Sequence, residues 1–203
     1  MNAVVVLAAV IAVGAAIRST WSPCGLSMLS TITPVTERGR GHRYGITAAW
    51  FVVGAVIGGA TLGGFAAALA AAIHAFGWAP STALGAAAVL AALAGWSDLG
   101  FLGRSAPFFK RQVDDAWLSR YRSWVYGIGF GWQIGAGLTT YIMTAAVFLT
   151  VALAALSGSP TAAFGIAVLF GLARGLAVLL SARLTTPASM MALHGRLEAL
   201  EAP

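Results

Sequence analysis

Two short runs hold most of the side chains that could do chemistry. The first is Trp21-Ser22-Pro23-Cys24-Gly25-Leu26-Ser27, and the second is Phe130-Gly131-Trp132-Gln133-Ile134-Gly135-Ala136-Gly137-Leu138-Thr139. Each follows Trp with small residues and then reads Gly-Leu-Ser or Gly-Leu-Thr. Cys24 is the only cysteine, which excludes an internal disulfide and a cysteine-based zinc cluster. Its thiol could form a mixed disulfide with a partner, or it could serve as a small buried hydrophobe. Pro23 has no N–H for the residue four earlier, so a helix through it should open there. Backbone groups freed at such an opening could bind a solute.

Two guanidinium groups, Arg18 and Arg174, fall inside apolar runs. A charge in that setting costs at least ~2.5–3.5 kcal/mol unless it is paired, hydrated or reaches an interface. Arg174 has no neighbouring carboxylate in Leu-Ala-Arg-Gly-Leu, which leaves an anion, a set of backbone carbonyls at a helix break, or snorkelling as its partner. Hydroxyls follow each motif: Ser27, Ser30, Thr31 and Thr33, then Thr139, Thr140, Tyr141 and Thr144. They could line a polar path or bond their own helices. The candidate binding residues are thus Arg18, Ser22, Pro23, Cys24, Gln133, Gly135, Gly137, Thr139 and Arg174, with Cys24 doubling as the redox candidate. His74 and Asp98 sit near segment ends and receive no role. No metal cluster, phosphate loop or nucleophile–base pair is apparent, and no cofactor is implied.

The elements that position these residues are membrane helices. Of 203 residues, 59% are hydrophobic and only 9% charged, against about 25% in soluble domains. No Asp, Glu, Lys or Arg occurs from Tyr44 to Ser97 or from Ser123 to Ala173. Each stretch is long enough for two crossings of about 20 residues. The net charge of +6 does not point to nucleic acid, because the basic residues lie in loops between apolar segments. The N-terminal run lacks a basic n-region, so it is expected to be the first membrane segment rather than a cleaved signal.

The expected architecture is an all-α integral membrane protein of five transmembrane helices, a sixth being left open. It forms one transmembrane domain over 1–203. Residues 1–99 form a first repeat, 100–124 a cytoplasmic amphipathic connector, 125–184 a second repeat and 185–203 a cytoplasmic surface helix. Segment two runs from Ile46 to about Ala72, segment three from about Thr82 to Leu99, and segment five from about Ala162 to Ala182. Segments one and four are too long for one straight crossing and should break at residues 22–25 and 133–137, where the two motifs approach each other as an inverted repeat. Ten of the twelve basic residues lie in 35–44, in 100–124, or at and beyond Arg183. The positive-inside rule makes those regions cytoplasmic and the N-terminus external, in a bacterial cytoplasmic membrane.

A broken first helix with Ser-Pro-Cys and a later helix with Phe-Gly-Trp resembles the CcdA/DsbD family of transmembrane thiol–disulfide carriers. Pro23, Cys24 and Leu26 match its first motif, while Ser27 and Ser30 stand where prolines are expected. Phe130, Gly131, Trp132 and Gly137 match its second, and Gly135 replaces its second cysteine. The resemblance implies the scaffold, and with the two arginines the leading expectation is a divergent carrier that moves a small anionic solute through a midplane site between the broken helices. The alternatives are a thiol–disulfide relay of the cytochrome c biogenesis type, with Cys24 meeting cysteines of a thioredoxin-like partner, and a non-transporting membrane subunit or assembly factor. Membrane lipid is a partner in every case, and enzyme activity is the less favoured reading.

Overall fold

The computed structural model describes residues 3–99, 117–137, 144–186 and a few positions between 188 and 195. Thr139, Thr140, Tyr141, most of the 100–124 connector and most of the tail lie outside the described residues. Those described are helical throughout, in the order α1 (Ala3–Arg18), a 3₁₀ turn (Ser19–Trp21), α2 (Pro23–Thr31), α3 (Pro34–Gly39), α4 (Tyr44–Ala75), α5 (Pro80–Asp98), α6 (Trp117–Arg120), α7 (Ser123–Ala136), α8 (Ala146–Leu156), α9 (Pro160–Leu176) and a terminal 3₁₀ stretch (Ala177–Arg183). Three stretches are long and apolar enough to cross a membrane: Ala3–Trp21, Tyr44–Ala75 and Pro160–Arg183. That is fewer than the five crossings expected from composition.

The starts of α2, α3, α5 and α9 share one device. Each has Pro in its first turn, where the missing N–H would have no intrahelical partner. Ser22 and Ser159 add side-chain caps to α2 and α9. The first break therefore sits at Ser22, which is extended (φ −67°, ψ 153°), and residues 23–25 are already helical. The second expected break begins later than residue 133. Helix α7 stays regular through Ala136, and only Gly137 departs, at φ +69°, a conformation that glycine adopts without a Cβ penalty.

Helix α4 is the centre of the bundle, held between α7 and α9 along a seam of glycines. On α7 the stripe is Gly127, Gly131 and Gly135, each four apart and so on one face. A Cβ on Gly131 would lie 2.0 Å from the Phe51 carbonyl oxygen, and one on Gly135 would lie 2.0 Å from that of Ala55. On the opposite flank a Cβ on Gly171 would meet the Ala55 carbonyl oxygen at 2.5 Å, and one on Gly59 that of Ala167 at 2.7 Å. The backbones touch. In a bilayer, where burying apolar side chains gives helices no advantage over lipid, close packing of small residues is what brings them together.

Ala55 is therefore clamped from two sides. Phe51, Tyr126, Phe130, Ile134 and Val178 fill one end of this core, and Leu62, Leu153, Ala163 and Phe170 belong to the other. Helix α5 is the outlier: Leu84, Val89, Leu93, Trp96 and Leu99 are all at least half exposed, as lipid-facing side chains would be.

Replacing Gly131 by Ala should destabilise the protein by about 1–3 kcal/mol through overpacking against α4. Gly64→Ala, where an added Cβ meets nothing within 4 Å, should leave stability unchanged or slightly raised. Thermal unfolding of both variants in detergent decides the matter, and equal midpoints would remove the seam from the account.

Candidate functional site

Glu37 is the only acidic residue among the first 97, and none of its surface is exposed. The local sequence fixes the short helix that carries it. Thr33 caps α3 reciprocally with Thr36: Thr36 N–H donates to Thr33 Oγ1 (3.1 Å), and Thr33 N–H donates to Thr36 Oγ1 (3.0 Å). Gly41 then turns at φ +75° and closes a Schellman motif, with Gly41 N–H on the Arg38 carbonyl (3.0 Å) and His42 N–H on the Glu37 carbonyl (2.8 Å). A helix this short, tied at both ends, presents Glu37 to α4 and α7.

The carboxylate there is met on every side. Thr47 Oγ1 of α4 donates to Oε2 (2.5 Å), and Tyr126 Oη of α7 reaches both oxygens, at 2.9 Å and 2.7 Å. Arg40 Nη1 pairs with Oε1 at 2.9 Å and also donates to the Thr31 carbonyl (2.9 Å). His42 Nδ1 lies 3.1 Å from Tyr126 Oη and 3.9 Å from Oε2. Thr47 and Tyr126 are fully buried, while Arg40 and His42 keep about a quarter of their side chains exposed. The cluster thus runs from a surface imidazole through a phenol to an enclosed carboxylate. Next to it Ser181 Oγ lies 2.7 Å from both the Ile32 and Val178 carbonyls, and Tyr44 Oη donates to Val178 (2.9 Å).

Arg174 forms the second unusual site. It is 3% exposed, its Nη1 donates to the Ile134 carbonyl (2.7 Å), and its guanidinium lies 5.6 Å from the centre of the Phe170 ring. Ile134 O is also the acceptor for Gly137 N–H (3.2 Å), so the arginine sits on the carbonyl end of α7, where the helix dipole favours a cation. The cleft beside it is lined by Ser19, Thr20, Gly25, Met28, Ile134 and Arg174 among others, and the volume open to the centre of a water molecule is about 10 Å³. That is room for about one water.

Of the sequence candidates among the described residues, Arg174 alone lines this cleft, and residues next to others of them lie beside it. Gly25, beside the first break, and Ile134, in the second motif, border the same cleft as Arg174, and Ser22 caps α2 by accepting from Gly25 N–H (3.2 Å). Cys24 is buried. Gln133 is half-buried, Gly135 packs on Ala55, and Gly137 meets the Phe170 ring. Pro23 serves as the first helical residue of α2. Arg18 ends α1 with its side chain exposed, outside the cleft lining. Thr139 lies outside the described residues.

Sequence reasoning missed Glu37, Thr47 and Tyr126, having read 35–44 as a charged loop. The available signal was a single acid in an otherwise acid-free half of the chain, framed by Thr-Pro-x-Thr and Arg-Gly. Asp98 also has a role that was not assigned: it accepts from Thr144 Oγ1 (2.5 Å) and Ala145 N–H (2.8 Å), capping α8 from α5.

Comparison with known proteins places this chain near one group. It is 34% identical over 164 residues to the methylamine utilization protein MauF of Paracoccus versutus, covering 79% of this chain and 59% of that protein. The similarity to MauF of Methylophilus methylotrophus is 32%, over 79% of this chain and 56% of the relative. MauF of Paracoccus denitrificans gives 32%, over 84% and 62%. The chain spans about three fifths of the length of these curated relatives. No family model matches the sequence, and no solved structure matches it.

These names overturn the CcdA/DsbD resemblance, and with it the solute carrier, the thiol–disulfide relay and the cytochrome c biogenesis role. The physical reason lies in the seam: Gly131 and Gly135, at the heart of the second motif, are the residues on which α7 packs against α4. Helix packing suffices to explain them.

Glu37→Gln should cost on the order of 3 kcal/mol, because it breaks a buried ion pair and weakens several charge-assisted hydrogen bonds. Tyr126→Phe should cost less, and the two together should be clearly less than additive, since they share one interaction. A double-mutant cycle on detergent unfolding midpoints measures the coupling, and strict additivity would mean that the phenol and the carboxylate do not act on each other.

Proposed function

From the similarity to MauF proteins, we propose that this chain is a membrane-embedded accessory protein in the utilization of methylamine or a closely related amine. The observation that carries the reading is the extent of the match, which covers about four fifths of this chain in relatives named as methylamine utilization proteins. The helical, apolar architecture supports a membrane location. Nothing in it requires the chain to act on the amine itself.

The same proposal includes five crossings in a bacterial cytoplasmic membrane: α1 with α2, α4, α5, α7 with α8, and α9 with its 3₁₀ extension. Two groupings of residues support the alternation. Ala3, His74, Gly77, Ser157 and Gly158 line one cavity, while Glu37, Thr47, Tyr126 and Ser181 belong to the polar layer described above. Thr47 and His74 lie near the two ends of α4, roughly 40 Å apart at 1.5 Å per residue. The arginine-rich end is assigned to the cytoplasm, which leaves the N-terminus and the 76–79 and 157–159 turns outside.

Disruption of the gene in its host should abolish growth on methylamine as sole nitrogen source and leave growth on ammonium intact. Undiminished growth on methylamine would sink the functional reading. In a Cys24→Ser background, a cysteine placed at position 158 should react with an impermeant maleimide from the outside and one at position 38 from the cytoplasm. The reverse pattern would invert the topology.

A further inference from the structure

The end of the bundle that holds Glu37 is ringed by arginines. Arg38, Arg43, Arg120, Arg122 and Arg183 are all exposed there, on α3, at the start of α4, on α6, before α7 and at the end of the terminal 3₁₀ stretch. Register places them around one layer. Arg43 lies one turn before Thr47 and Arg122 one turn before Tyr126, and those two residues share the Glu37 carboxylate. Arg183 lies two residues beyond Ser181, which contacts the Ile32 carbonyl. Among the described residues only two carboxylates could balance these charges, and both are already engaged. Glu37 is fully buried and paired with Arg40, and Asp98 caps α8.

Next to the arginines, on the side nearer the middle of the bundle, the surface turns apolar. Ile46 and Trp50 follow Arg43 along α4, Trp124 follows Arg122, and Leu179 and Leu180 precede Arg183. Each of these five is at least 40% exposed. The surface therefore pairs a multi-arginine rim with an aromatic and aliphatic band immediately inside it, the order of head and tail in a phospholipid. Arginine offers a planar fork that matches two phosphate oxygens, and Trp is favoured at the level where acyl chains begin.

We propose that this face is a docking surface for an anionic phospholipid, its headgroup phosphate held by arginines of separate elements and its chains lying over Ile46, Trp50, Trp124 and Leu179. Such a lipid bridges α3, α4, α7 and the terminal 3₁₀ stretch, adding to the contacts that the Glu37 and Ser181 layer makes among them. A free phosphate would use the rim and leave the band unused. An acidic protein would have no need of an apolar band so close beneath its charges. The inference does not depend on the part played in amine utilization.

The test is native mass spectrometry and thermal unfolding of the full chain released from nanodiscs of mixed phosphatidylglycerol and phosphatidylcholine. Wild type should retain phosphatidylglycerol over phosphatidylcholine by about tenfold or more, and added phosphatidylglycerol should raise its unfolding midpoint in detergent. The triple variant R43Q/R122Q/R183Q should fall to parity, and inorganic phosphate should give neither effect. R43Q and R183Q alone should each lose part of the preference, which keeps the test decisive if the triple variant does not fold. Equal retention of both lipids by wild type, an undiminished preference in the variants, or full protection by inorganic phosphate would each overturn the proposal. Binding of polyglutamate with no lipid preference would overturn it in favour of an acidic protein partner.

Discussion

A carboxylate with no exposed surface has to be surrounded by donors, and in this chain the donors of Glu37 come from three different elements. Thr47 brings the first turn of α4, Tyr126 brings the first turn of α7, and Arg40 ties the end of α3 back to the Thr31 carbonyl at the end of α2. Removing a buried charge's partners costs several kcal/mol, so none of these elements can move away alone. The constraint acts at the junction of short helices α2 and α3. Six helical residues cannot hold themselves in place, since helices shorter than about 12 are marginal without tertiary contacts.

Below this layer the bundle is held by contact rather than charge. The glycine seam lets α4 approach α7 and α9 backbone to backbone, and Ala55 sits where the two approaches cross. Arg174 then meets a second polar requirement, the carbonyl end of α7 at Gly137, by donating to Ile134. The two buried charges thus have opposite solutions. Glu37 is neutralised by side chains from its neighbours, whereas Arg174 sits on a helix terminus and an aromatic face. Both are positions where a side chain satisfies what the backbone or the fold leaves open.

The long apolar helices were legible because composition alone defines them. The expected Ile46–Ala72 and Thr82–Leu99 segments correspond to α4 over Tyr44–Ala75 and α5 over Pro80–Asp98. Pro23 marked a helix start, as a residue without an N–H must, although it was read as the break itself. The second break was placed to begin too early, because glycines such as 131 and 135 look like helix breakers in a sequence and serve as contact points once a partner backbone lies against them. The cluster at Glu37 was not legible for a related reason. Glu-Arg-Gly-Arg-Gly-His-Arg has the composition of a solvated loop, and the side chains that hold its acid inward, Thr47 and Tyr126, lie 10 and 89 residues away. Short motifs rich in Gly and Trp also misdirected the family reading, since packing seams in membrane helices draw on the same few residue types.

The central claim is that one buried carboxylate couples the ends of α2, α3, α4 and α7 into a single unit. Hydrogen–deuterium exchange on the full chain in nanodiscs, comparing wild type with Glu37→Gln, tests it directly. The account predicts faster exchange in the variant at the end of α2, in 34–47 and in the first turn of α7, all together, with no change around 73–83 and 156–160 at the far end. Faster exchange confined to α3 and its flanking turn would contradict it, because the carboxylate would then be fixing only its own short helix.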